Sequence, residues 1–143
     1  MPSKIQAPTS AFVAASWVSM LFGAAAFVIG LGNSTMQLNE RGYYFTVLLF
    51  GLYAAISLQK SVRDKSEGIN VTGIYFGVSW FALFAAIMLL AIGLWNASLQ
   101  YSEKGFYAMS FILALFGAVT VQINIRDMAV FHVDTAMTHH QEE

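Results

Sequence analysis

Cysteine is absent from the 143 residues, which rules out any disulfide and any thiolate metal site and leaves the redox compartment unspecified. Proline occurs only at Pro2 and Pro8, so no helix after the first few residues has a proline break of the kind that builds substrate sites in transporters. Charge is also scarce: 10% of residues are Asp, Glu, Lys or Arg, where a soluble domain carries about 25%. The seven Lys and Arg residues are too scattered to form a face that could follow a phosphate backbone, so nucleic acid is not an expected partner. With 57% hydrophobic residues and a mean hydropathy of +0.61, the principal solvent is lipid.

Four apolar runs stand out: Phe12 to Leu31, Tyr43 to Val62, Val71 to Leu94 and Phe106 to Ile125. About 20 residues of helix cross a hydrocarbon core of about 30 Å, so each run is long enough to span. The runs are continuous rather than alternating, and backbone groups in lipid must be satisfied within their own segment, which selects helix over barrel strand. The first run is read as a retained helix, because no small-residue cleavage site leads from it into a polar domain. Residues 1–11 form a short N-terminal tail, and residues 130–143 are expected to be a mobile polar tail.

Positive charge is distributed unevenly over the connections. Lys4, Lys60, Arg63, Lys65 and Arg126 fall on one side of the four spans, and Arg41 and Lys104 on the other. The positive-inside bias places both termini and the middle connection in the cytoplasm. Tyr43, Tyr44, Trp95, Tyr101 and Tyr107 cluster at the opposite boundary as an aromatic belt.

The stretch "NERGYYF" at residues 39–45 has a counterpart in "SEKGFYA" at residues 102–108. Sliding the chain by 63 positions superposes Ser16, Trp17, Gly30, Asn33, Gln37, Glu40, Gly42, Tyr44, Gln59, Arg63 and Asp64 on Ser79, Trp80, Gly93, Asn96, Gln100, Glu103, Gly105, Tyr107, Gln122, Arg126 and Asp127 without a gap. Shared apolar composition does not align polar residues in order. The chain is therefore a tandem duplication of a two-helix hairpin, with a first membrane repeat at residues 12–66 and a second at 67–129. An even number of crossings per unit makes the repeats parallel, with any pseudo-two-fold axis along the membrane normal.

The paired motifs "GLGNSTMQLNERGYYF" with "GLWNASLQYSEKGFY", and "QKSVRD" with "QINIRD", resemble the bacterial YiaA/YiaB family of inner-membrane proteins, built from a repeated two-helix domain. The resemblance implies an inner-membrane location and a four-helix topology. It carries over no catalytic residue and no cofactor.

Read as folding signals, Asn39 and Ser102 are expected N-caps, Glu40 and Glu103 lie at the positive end of a helix dipole, and Asn33 and Asn96 are expected left-handed C-caps. Gly42 and Gly105 are expected to permit close backbone approach. A sharper alternative gathers Asn33, Gln37 and Glu40 with Asn96, Gln100 and Glu103 into one oxygen-rich cation site, although Arg41 and Lys104 beside them argue against it. At the other boundary, Arg63 is expected to pair with Asp127 and Arg126 with Asp64 across the repeats, with Gln59 and Gln122 bonding one turn inside. Small-residue pairs in both copies, Gly51 and Ala55 with Ala114 and Ala118, and Gly30 and Ser34 with Gly93 and Ala97, mark packing faces. His132, His139 and His140 in the tail are read as solvated rather than as a metal site.

No Asp, Glu, Arg or His lies inside a span, and Lys60 is near enough to an end to snorkel. Nor is there a nucleophile and base set or a phosphate loop. The expectation is a non-enzymatic structural or interaction protein without metal or cofactor. Its expected partners are membrane lipids and a second copy of the chain or another membrane protein. The alternative is a small oligomeric channel or passive transporter lined by residues such as Ser57, Gln59, Thr120 and Gln122.

Overall fold

A computed structural model describes residues 7–143, which form four helices: α1 (Ser10–Gly32), α2 (Leu38–Ser66), α3 (Gly73–Asn96) and α4 (Tyr101–Glu142). Lys4, one of the charges in the orientation argument, lies outside the described residues. All four helices are long and apolar enough to cross a membrane. The 42-residue α4 is about 63 Å long at about 1.5 Å per residue, roughly twice the hydrocarbon thickness. Residues 130–142, expected as a polar tail, continue α4 as helix. No Gly or Pro follows Gly117, so nothing in the local sequence terminates the helix there.

The helix starts show a second regularity and a correction. Thr9 and Thr72, again 63 positions apart, cap α1 and α3 through hydroxyl oxygens that accept from the N–H groups of Phe12 and Tyr75, each at 3.2 Å. At α2 and α4 the N-cap is Gln37 and Gln100, in extended conformation and without a side-chain capping bond. Asn39 and Ser102 lie inside the first turn instead, because each helix begins earlier than the expected cap. Glu40 and Glu103 keep their places in that first turn, near the positive dipole end.

The helix ends also differ from expectation. Asn33 has right-handed angles (φ −92°, ψ 0°), and Asn96 is the last residue of α3, its amide donating to the Ile92 carbonyl at 3.0 Å. Asn retains right-handed options, and here local hydrogen bonds take the place of a left-handed turn. The left-handed position belongs to Gly68 (φ 78°) after α2. There the N–H of Ile69 donates to the Asp64 carbonyl and that of Gly68 to Lys65, the paired bonds of a Schellman closure.

Packing follows an exchanged pattern. The first helix of each repeat lies along the second helix of the other, α1 on α4 and α3 on α2, while α2 meets α4 in the centre. Within a repeat the two helices touch least. The hairpins are interlocked rather than stacked, and α2 and α4 bury the larger share of their surface. Phe27, Leu48, Ala54, Ala86, Phe111 and Ala114 are among the core residues fully enclosed between helices.

The α1–α4 contact is the closer of the two equivalent pairs. A Cβ on Gly23 would stand 2.5 Å from the Ala114 backbone nitrogen, and one on Gly117 would stand 2.5 Å from the Met20 Cα. Their counterparts on α3 and α2 are Ala86 and Ala54, each 0% exposed. One methyl per side thus separates a glycine-to-backbone crossing from an alanine-spaced one. Gly51, Gly30 and Gly93 serve differently, as slots for the rings of Phe111, of Phe106 with Tyr107, and of Tyr43 with Tyr44. Gly42 and Gly105 face open space, so they are not points of close approach. Gly117→Ala is expected to destabilise the protein by about 1–3 kcal/mol through overpacking, whereas Gly105→Ala should be neutral or stabilising by up to about 1 kcal/mol. Thermal unfolding of both variants in one detergent checks the contrast.

Candidate functional site

Polar chemistry collects at the two ends of the central α2–α4 pair. At the end formed by the connections at residues 33–37 and 97–100, the repeated motifs form two cavities instead of one site. The larger, of about 560 Å³, brings Glu40 and Gln37 together with Asn96 of the other repeat. The smaller, of about 350 Å³, brings Glu103 together with Asn33. Each therefore combines the start of one repeat's second helix with the end of the other repeat's first helix, a consequence of the exchanged packing. Between them Tyr44 and Tyr107 stack across the pseudo-axis with centroids 6.3 Å apart and planes 14° apart.

The single cation site drawn from six oxygen donors is not formed. Only one of the two carboxylates reaches each cavity, and among the described residues no group of three His, Asp or Glu is placed to hold a metal ion. Gln100 lines neither cavity, although its counterpart Gln37 lines the larger. Arg41 turns its guanidinium to the Ser34 carbonyl at 2.5 Å, tying α2 to the preceding connection, while its Nε is buried without a partner. Lys104 at the equivalent place lies instead over the Tyr101 ring, 5.6 Å from its centroid. Tyr43 donates to the Leu89 carbonyl at 2.6 Å and fastens α2 to α3.

At the other end the charges interlock. Arg63 reaches Asp127 at 2.5 Å and Arg126 reaches Asp64 at 2.7 Å, so both crossed pairs join α2 to α4. Glu67, at the end of α2, accepts from Arg63 at 2.8 Å and also from Arg126, which joins the pairs into one network. Lys65 lies over the Phe76 ring, 4.5 Å from its centroid, and attaches α2 to α3. Gln59 and Gln122 come together beside these arginines around a void of about 10 Å³, but no hydrogen bond joins them.

The enclosed polar contact lies elsewhere. Asn124 is 2% exposed and its amide donates to the Ser16 hydroxyl at 2.9 Å, linking α4 to α1. On the equivalent α2–α3 face, Ser57 bonds the hydroxyl of Tyr75 at 2.7 Å and that of Ser79 at 3.4 Å. These contacts escape a search for identical pairs because position 124 is Asn where the first repeat has Ser61. An Asn set between Ile123 and Ile125 near the end of an apolar run was the available signal.

Hydrogen bonds from Arg63 above all, and from Arg126, hold the Glu67 carboxyl below its ordinary range despite some desolvation. A carboxylate with a lowered folded-state value stabilises the fold above its unfolded value, and the benefit is lost as pH falls through the folded one. A pH titration of unfolding should show that loss in acid, and Glu67→Gln should reduce it. For the crossed pairs, reversing Arg63 to Asp is expected to destabilise by about 1 kcal/mol, the upper end for partly exposed pairs, and the added reversal of Asp127 to Arg to recover part of the loss. Chemical unfolding of the single and double variants measures it.

Four helices whose long apolar stretches carry charge only at their borders define a small multi-pass membrane protein built by duplication. The yiaA/B two helix domain matches residues 12–64 and again 75–127, and the chain belongs to that family. It is 50% identical over 130 residues to the inner membrane protein YiaA of Escherichia coli (strain K12), covering 91% of this chain and 90% of that one. It is also 38% identical over 60 residues to the uncharacterized membrane protein YubF of Bacillus subtilis (strain 168), covering 41% of this chain and 69% of that one. No solved structure matches the chain. The protein is a multi-pass inner-membrane protein.

Proposed function

We propose that this protein is a non-enzymatic scaffold of the inner membrane, with both termini in the cytoplasm, that holds helices or partner proteins in place through its rigid crossed core. The closed α2–α4 seam carries this reading. Where Gln59 and Gln122 meet, the void of about 10 Å³ is at the lower limit of about 10–15 Å³ needed for one water. The space between these two amides thus holds at most about one water. Ser16, Ser61, Ser110 and Thr120 donate to carbonyls of their own helices, while Asn124 with Ser16 and Ser57 with Tyr75 bond between helices, contacts that serve to join helices. Beyond the Asp127 ion pair α4 becomes largely exposed and presents Val130, Val133 and Met137, a surface on which a scaffold can hold another protein.

Because the chain has no cysteine, single labels are available without background. Ser66→Cys is expected to react with a membrane-impermeant maleimide only after the cytoplasmic face is opened, and Ser98→Cys in intact spheroplasts. The native mass in mild detergent, with co-purifying chains retained, tests the scaffold reading itself. A monomer or a stoichiometric complex with another membrane protein is the expected result. A defined homo-oligomer enclosing a hydrated pathway would overturn it in favour of a channel.

A further inference from the structure

The exchanged packing leaves two apolar hollows on the lipid-facing surface: one of about 690 Å³ lies between α1 and α4 around Phe22, Ala26 and Leu113, and the other, between α3 and α4, ends beside a lysine. Between α3 and α4, which barely touch, a sideways-open groove of about 420 Å³ runs over Ala55 of α2, with Leu83, Ile87 and Ala91 on one wall and Ala108 and Ile112 on the other. Its lining is hydrocarbon almost throughout, so water has no partners there and an apolar occupant is favoured. Along α4 it extends from Ala108 to Val119, and along α3 from Leu83 to Leu94. Eleven residue steps on each helix make about 16 Å, about half of a hydrocarbon core of about 30 Å. The groove is one leaflet deep and ends toward the boundary that carries the α3–α4 connection.

A cation stands at that end. Lys104 lies four residues before Ala108 and therefore on the same face of α4, about 6 Å nearer the boundary. Its ammonium rests over the Tyr101 ring and, among the described residues, forms no hydrogen bond or ion pair. Arg41, the counterpart in the first repeat, is committed to the Ser34 carbonyl. The two copies thus differ where a headgroup would sit. The geometry points to a phospholipid site: one acyl chain lies in the α3–α4 groove and the lipid phosphodiester is held by the Lys104 ammonium. An ammonium at headgroup depth with its stem along apolar surface is the complement such a lipid presents.

The test is native mass spectrometry of the full chain in mild detergent, with palmitoyl-oleoyl phosphatidylglycerol, the phosphatidylethanolamine of the same chains, or the same diacylglycerol added in turn. One phospholipid per chain should be retained from either phosphodiester, and diacylglycerol should be lost first. Lys104→Gln is expected to weaken retention about tenfold, and Arg41→Gln to leave it unchanged. Ala91→Phe, which fills the groove, should abolish retention. Should that variant fail to fold, Lys104→Gln still decides, since among the described residues Lys104 forms no hydrogen bond or ion pair on which the bundle depends. Equal retention of diacylglycerol and phospholipid, no effect of Lys104→Gln, or an equal loss with Arg41→Gln would overturn the assignment.

Discussion

The approach of α1 to α4 at Gly23 and Gly117 is the constraint on which the rest of the bundle depends. In lipid no hydrophobic drive presses helices together, so association rests on how much backbone and side-chain surface can come into van der Waals contact. Glycine at both places lets main chain meet main chain, and the neighbouring Ser16–Asn124 bond closes the same seam nearer the charged end. Pairing α1 with α4 then leaves α3 to α2, brings α2 against α4, and sets the motif residues of one repeat facing those of the other. Both outer cavities and both crossed ion pairs are consequences of that exchange.

Duplication supplied two equal halves, and their divergence is chemically specific. The seam spaced by glycines in one half is spaced by Ala54 and Ala86 in the other, a separation set by a methyl group on each helix. Asn124 stands where the other copy has Ser61, so the closer seam also carries the longer polar side chain. Arg41 and Lys104 keep the same charge but not the same partner, because the planar guanidinium can bridge to a carbonyl while the ammonium remains a point charge against an aromatic ring.

Hydrophobic run length and the 63-residue register made the four helices and the parallel duplication legible in the sequence, since each rests on a signal many residues long. The pairing of Arg63 with Asp127 could be read because adjacent, opposite charges at two matched helix ends have few other partners. Local features were harder. Asn39 and Ser102 have the chemistry of caps, yet cap identity turns on a one-residue choice of where extended backbone becomes helical, which composition does not determine. Gly42 and Gly105 recur yet face open space, whereas the glycines at the backbone crossing, Gly23 and Gly117, recur as alanine and so left no identity to find. Exchange of helices between hairpins was invisible for a related reason: apolar faces with no hydrophobic preference for one neighbour over another do not encode their partner by pattern.

Fusion of the two hairpins into one chain has a structural effect that two separate hairpins could not reproduce. The connection at residues 67–72 occurs once, and Glu67 occurs with it; the position 63 residues later is Val130, inside the extended α4. Two identical hairpins would meet with two equal charge pairs and either two such glutamates or none. Two glutamates would place excess negative charge at a junction already balanced by Arg63, Asp64, Arg126 and Asp127. None would leave both arginines with one carboxylate each. A single Glu67, set at the turn by the Gly68 closure, reaches both arginines at once and ties the end of α2 to α4. The asymmetry created by the connection is thus what turns two partly exposed ion pairs, individually weak, into one network that holds the interlocked repeats in register.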